Sequence, residues 1–105
     1  MNHFDLALRQ MLKLQGEWIT YFQGEKHKEI KGIFKRSMKL VDTETNSEIY
    51  FEDQPNIKIS LTDLLPFRPS QEDRVSRENG ESYNVNRIDF DSQNGAKLIL
   101  EKRNA

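Results

Sequence analysis

The sequence predicts a mainly β fold, a small antiparallel β-barrel or sandwich with one N-terminal α-helix and a long flexible loop. Three observations predict it. Short runs rich in β-branched and aromatic residues recur along most of the chain, among them "EWITYFQ", "IKGIF", "IYFE", "NIKISL" and "AKLIL". Glycine and asparagine punctuate them at Gly24, Asn79-Gly80 and Asn94-Gly95, where tight turns need them. Helical spacing of apolar residues is confined to the first stretch.

That stretch places Phe4, Leu8, Met11 and Leu12 on one face, with Ala7 beside them, and predicts a helix over residues 3–15. Asn2 or His3 can cap it, Asp5 suits its first turn and Gly16 its end. A helix this short is marginal alone, so it must dock on something. The strands fill residues 17–102. Gly32, inside "IKGIF", marks either a bulge or a close backbone approach. Residues 37–48 ("SMKLVDTETNSE") are polar with little period and are predicted to be a long loop. "NIKISLTDL" alternates through Ile57, Ile59 and Leu61, and the two prolines of "LPFRPSQED" suit a surface connection.

Asn79-Gly80 predicts a type I′ hairpin turn, which needs positive φ at both residues. The strand beyond it runs Tyr83, Val85, Ile88, Phe90, and its alternation breaks between Val85 and Ile88. A β-bulge at Asn86-Arg87 accounts for that break and would bend the strand around a barrel corner. One core should gather Leu8, Leu12, Trp18, Phe22, Ile30, Phe34, Ile59, Leu61, Tyr83, Val85 and Leu98. At 105 residues the chain forms one domain, 1–105.

Composition narrows the function. A net charge of −1 argues against wholesale nucleic-acid binding, which needs a persistent positive field. Cysteine is absent, which removes disulfides, thiolate nucleophiles and Cys-type metal sites. Neither a signal-peptide pattern nor a run of about 20 apolar residues occurs, so a soluble, intracellular chain is expected. His3 and His27 are the only histidines, too few and too far apart for a catalytic triad or a zinc site. "DTETNSEIYFED" places oxygen side chains at calcium-loop spacing from Asp42 to Asp53. However, Ser47 stands where such a loop needs glycine, and the aromatic end does not resemble an exiting helix. Asp89 and Asp91 share a strand face, yet nothing around them suggests the desolvation an acid/base pair needs. No catalytic residue, metal or cofactor is therefore expected.

One electrostatic feature survives. Lys26 to Lys39 holds six lysines and arginines, and Asp42 to Asp53 holds five acids and no base. A basic strand thus runs straight into an acidic loop. Either both are solvated surface, or they form complementary surfaces that set register and partner choice. The candidate partner-binding residues are Lys28, Lys31, Lys35, Arg36, Lys39, Asp42, Glu44, Glu48 and Glu52. Residues 37–53 would then be a mobile segment that orders on assembly.

The ordered set "FDLAL", "IKGIF", a polar loop, "IKISLTDL", Asp73-Arg74-Val75, "NGESYNVNRID" and "GAKLIL" resembles the lambda-type head-tail joining proteins of long-tailed phages. The resemblance covers almost the whole chain. It rests most on "IKGIF" and on Asp73-Arg74-Val75 taken with Gly80, Tyr83, Val85 and Ile88. It implies a non-enzymatic structural adaptor that forms a homo-oligomeric ring in the virion neck. A portal or head-completion protein would lie on one side of that ring and a tail-terminator protein on the other. "KRSMKL" departs from the family in being basic. A tail-terminator or tail-completion role is the sibling reading. A small β-barrel nucleic-acid binder, using Trp18, Tyr21 and Phe34 beside the basic strand, is the rival from another class.

Overall fold

Six strands close into an antiparallel barrel: β1 (Glu17–Gln23), β2 (Lys26–Thr43), β3 (Glu48–Ser60), β4 (Arg74–Arg77), β5 (Ser82–Phe90) and β6 (Gly95–Lys102). Their order around the wall is β1-β2-β3-β6-β5-β4. Helix α1 (His3–Gln15) precedes them, and a single helical turn, α2 (Leu61–Leu64), follows β3. The computed structural model describes residues 3–43, 48–91 and 94–103, with side chains described for 7–36, 54–91 and 94–103. The expected caps at Asn2 and His3, and the side chains of Phe4 and Asp5, lie outside that set.

The helix docks as its spacing requires. Leu8 and Leu12 are buried, and α1 contacts β2 and β3. Leu8 sits so close to Gly95 that a Cβ there would come within 2.8 Å of its methyl group. The chain turns sharply out of the helix at Gly16, whose N–H donates to the Leu12 carbonyl at 2.9 Å. A side chain at Gly16 would strike that same carbonyl oxygen.

Inside the barrel, Ile19, Tyr21, Ile30, Ile57, Ile59, Val75, Tyr83, Val85, Ala96, Leu98 and Leu100 form one cluster, joined by Leu64 from α2. The face of β1 differs from the expected one. Ile19 and Tyr21 point inward, whereas Trp18 is half exposed and Phe22 only partly buried. Both faces of "WITYF" are apolar, so parity alone does not choose between them. The outer residues find cationic covers instead: Lys31 Nζ lies 4.7 Å from the Trp18 ring centre, and the Arg74 guanidinium 4.9 Å from that of Phe22. Phe34 and Leu61 pack against the cluster without being fully buried. At Gly32 the explanation is close approach and not a bulge. The β1–β2 register is unbroken, and a Cβ there would meet Ile57 at 2.7 Å inside the barrel.

The bulge in β5 is where the parity break placed it. Val85 pairs with Leu100 and Arg87 with Ile99, which leaves Asn86 as the extra residue. The turn before β5 is not type I′. Only Gly80 has positive φ, at 90°. Its N–H donates to Arg77 O at 3.0 Å, and Arg77 N–H donates to Glu81 O at 2.9 Å. This is a three-residue loop with a glycine bulge at its end, and Asn79 serves it by accepting the Glu81 N–H at 3.0 Å. The expected strand through Leu61 ends at Ser60. "LTDL" coils into α2, and Leu64 turns into the core.

The expected loop over 37–48 is largely strand. β2 continues to Thr43 and β3 begins at Glu48, in register from Ile33↔Lys58 to Thr43↔Glu48. Residues 44–47 lie outside the described set. The polar, weakly alternating composition that suggested a loop belongs to a two-stranded ribbon that continues β2 and β3. β1 leaves β2 at Gly32, and β6 reaches β3 only as far as Asn56. From Ser37↔Gln54 onward, β2 and β3 therefore pair, among the described residues, only with each other, forming an arm about 20 Å long. Pro55 sits at the base of this arm, where β3 lacks its second neighbour and a missing N–H is tolerated.

Candidate functional site

The basic run on β2 does not make one face. Successive side chains on a strand alternate sides, so Lys28 and Arg36 share the parity of the core residue Ile30, while Lys31 and Lys35 share the other. Lys28 donates to the Leu65 carbonyl, and Lys31 covers Trp18. Arg36 favours the ionised form of the Tyr83 hydroxyl at one barrel rim, and Lys35 stands on the outer wall beside α1. Lys39 lies directly opposite Glu52 in the register, Asp42 opposite Ile49, and Glu48 opposite Thr43. Glu44 lies outside the described residues. The end of the basic run and the end of the acidic run are thus backbone neighbours on two strands of one chain.

The outer wall instead gathers cations that the linear sequence keeps apart. A groove of about 400 Å³ is lined by Lys35 from β2, Lys58 from β3 and Lys97 from β6, with Met11 and Gln15 of α1 and Ile33 beside them. Lys58 and Lys97 are direct cross-strand partners, a placement of like charges that destabilises a sheet. Asp91 relieves Lys58 at 3.2 Å. On the far side of Lys97 its β5 partner is Asp89, which itself pairs with Arg87 at 3.2 Å. Strand register alone assembles this groove, so neither Lys58 nor Lys97 carried a signal in the sequence.

At the barrel rim a second polar cluster does structural work. Arg77 bridges Glu17 through two bonds of 2.9 and 3.1 Å, and its guanidinium lies 3.7 Å from the centre of the Phe34 ring. Tyr83 donates to Glu81, and that bond holds the Glu81 carboxyl below its ordinary range. Burial pushes the Tyr83 hydroxyl up, as does Glu81, while Arg36 opposes them. Between β1 and β4, the buried Asp73 carboxylate accepts bonds from Tyr21 Oη at 2.5 Å, Ser70 N–H at 2.9 Å and Gln23 Nε2 at 3.0 Å. Burial raises the Tyr21 pKa strongly, and Asp73 raises it further. The residues that carry the family resemblance thus have structural roles. Asp73 fastens a loop, Gly80 makes a turn, and Tyr83 and Val85 fill the barrel.

Among the described residues no group of three or more histidines and acids could hold a metal ion. His27 is exposed and packs on Phe22 with ring centres 5.9 Å apart. Asp42 and Asp53 lie on opposite strands of the arm, so the calcium-like spacing does not fall on one continuous loop. No described helix is long and apolar enough to cross a membrane. Compared with known proteins, the chain matches no family model and no curated relative.

Proposed function

We propose that the chain is a non-enzymatic structural adaptor of a long-tailed phage or prophage, joining the DNA-filled head to the tail. It would work as a homo-oligomeric ring, made in the host cytoplasm and retained in the virion neck. A portal or head-completion protein would meet one side and a tail-terminator protein the other. The observation that carries this reading is the arm. A closed barrel protects its strand edges, yet here two strands run on past the wall, and no other described strand pairs with their outer edges. Edges of that kind are templates for strand addition or docking, which suits a protein whose product is a surface. The order of motifs that resembles the head-tail joining proteins supports the same reading. A tail-completion role would use the same arm.

The nucleic-acid reading has less support. Base stacking needs aromatic platforms along a basic groove, and among the described residues no aromatic ring lines the lysine groove. Of the candidate platforms, Trp18 is covered by Lys31, Tyr21 is buried in the core and Phe34 lies under the Arg77 guanidinium.

The test is genetic. Deleting the gene from an inducible lysogen should leave DNA-filled heads and complete tails that do not join, and a supplied wild-type copy should restore infectious particles. A triple variant, Glu44→Gln with Glu48→Gln and Glu52→Gln, should fold normally but join poorly. Normal joining in the deletion strain rules the adaptor role out.

A further inference from the structure

We infer that the lysine groove beside α1 is the receptor for the acidic arm strand of a second copy, so that the chain assembles head to tail. The inference deepens the adaptor reading, whose ring requires a self-contact, but its test needs no virion.

Four observations carry it. The groove concentrates Lys35, Lys58 and Lys97, two of them directly opposed, so the isolated chain keeps like charges together where an anionic partner would relieve them. Asp91 answers one of the three, and Asp89 is shared with Arg87. Met11, nearly half exposed, and the partly exposed Ile33 add apolar surface to the same groove.

The arm has the opposite character. On β3, "EIYFED" (Glu48 to Asp53) carries three acids, three large apolar or aromatic residues and no base. Acid and aromatic residues together match a groove of lysines and aliphatic side chains. Opposite potentials of this kind set register and reject wrong partners.

The ribbon geometry then excludes the chain's own groove. Lys58 is paired with Ile33 at the barrel wall, whereas Glu48 is paired with Thr43. The paired ladder carries Glu52 about 20 Å and Glu48 about 33 Å along the strands from Lys58. The arm of one copy must therefore reach the groove of another. Since arm and groove are different surfaces, the contact is heterologous and repeats around a ring or along a filament.

The absence of cysteine makes a clean test possible. Two single-cysteine proteins, Glu52→Cys and Lys97→Cys, are mixed under mild oxidation. The mixed disulfide should form in excess over both like-with-like pairs, because bridging needs Cα atoms within about 7 Å. Reversing the groove with Lys35→Glu and Lys58→Glu in the Lys97→Cys chain should cut that yield by about tenfold or more. Adding Glu48→Lys and Asp53→Lys to the Glu52→Cys chain should restore it, which separates a charge contact from simple misfolding. Mixed disulfide at the level of random pairing overturns the inference, and so does a yield indifferent to both reversals. Salt-sensitive binding of an oligothymidylate by the groove lysines, without cross-linking, also overturns it and makes the groove a polyanion surface. Cross-linking as expected, with normal joining in the deletion lysogen, would keep the self-contact and remove the adaptor role.

Discussion

Tyr21 and Asp73 show how a single contact in this barrel can be read as a stability statement. The hydroxyl donates to a buried carboxylate, and both burial and that carboxylate resist its ionisation. In the unfolded chain a tyrosine ionises near pH 10. Above that pH the unfolded state binds fewer protons than the folded one, so stability must fall as pH rises. Tyr21→Phe should lower stability at neutral pH by about 1–3 kcal/mol, because Asp73 loses one of its donors. It should also flatten the loss between about pH 10 and 11.5, with the residual slope coming from Tyr83. Urea denaturation of both proteins across that range measures the effect, and parallel slopes would contradict it. At the hairpin turn, Gly80 has φ of 90° while Asn79 stays in an ordinary conformation. Gly80→Val should therefore cost about 1–2 kcal/mol, and Asn79→Ala should cost less than about 1 kcal/mol. Equal losses would restore the type I′ geometry that the Asn-Gly pair suggested.

Single elements show where the sequence was legible and where it was not. Helix α1 was legible because Leu8 and Leu12 repeat at helical spacing beside polar neighbours, and both are buried. Leu12→Ala should cost about 2–5 kcal/mol by leaving a cavity beneath the helix, measured as a lowered denaturation midpoint with an unchanged slope. The bulge at Asn86 was legible too, since an odd step in a strict alternation has few other causes. The inward face of β1 was not, because Trp18, Ile19, Tyr21 and Phe22 supply apolar surface on both sides. The arm was misread as a loop for a related reason. Hydrophobic period reports burial on one face, and residues 37–48 alternate too weakly to show it, although β2 and β3 pair on as far as Thr43 and Glu48. The lysine groove lay further out of reach. Its members come from three strands, and only the pairing of Ile33 with Lys58 and of Lys58 with Lys97 brings them together.

Across the whole molecule, barrel and arm divide the labour of folding and contact. Among the residues whose side chains are described, the cluster from Ile19 to Leu100 is built from the barrel strands and α2. An isolated two-stranded ribbon is at best marginally stable in water, so the arm depends on the barrel and adds little to it. The two should therefore separate cleanly. Ser37 and Gln54 are direct partners in the register, which allows residues 38–53 to be replaced by Asn-Gly as a two-residue hairpin turn. The shortened protein should unfold cooperatively, with its melting temperature within a few degrees of the full chain. It should keep the lysine groove, because Lys35, Lys58 and Lys97 all remain on the wall. Lacking its own arm, it should cap growing assemblies: mixed with full-length protein it still accepts an arm but offers none. Titrating it into the full-length chain should shorten assemblies progressively in sedimentation experiments. A shortened chain that loses its fold would place part of the core in the arm, against the cluster described above. One that self-associates as well as the full chain would place the contact elsewhere on the barrel, beginning with the exposed Leu14 and Trp18 beside the helix.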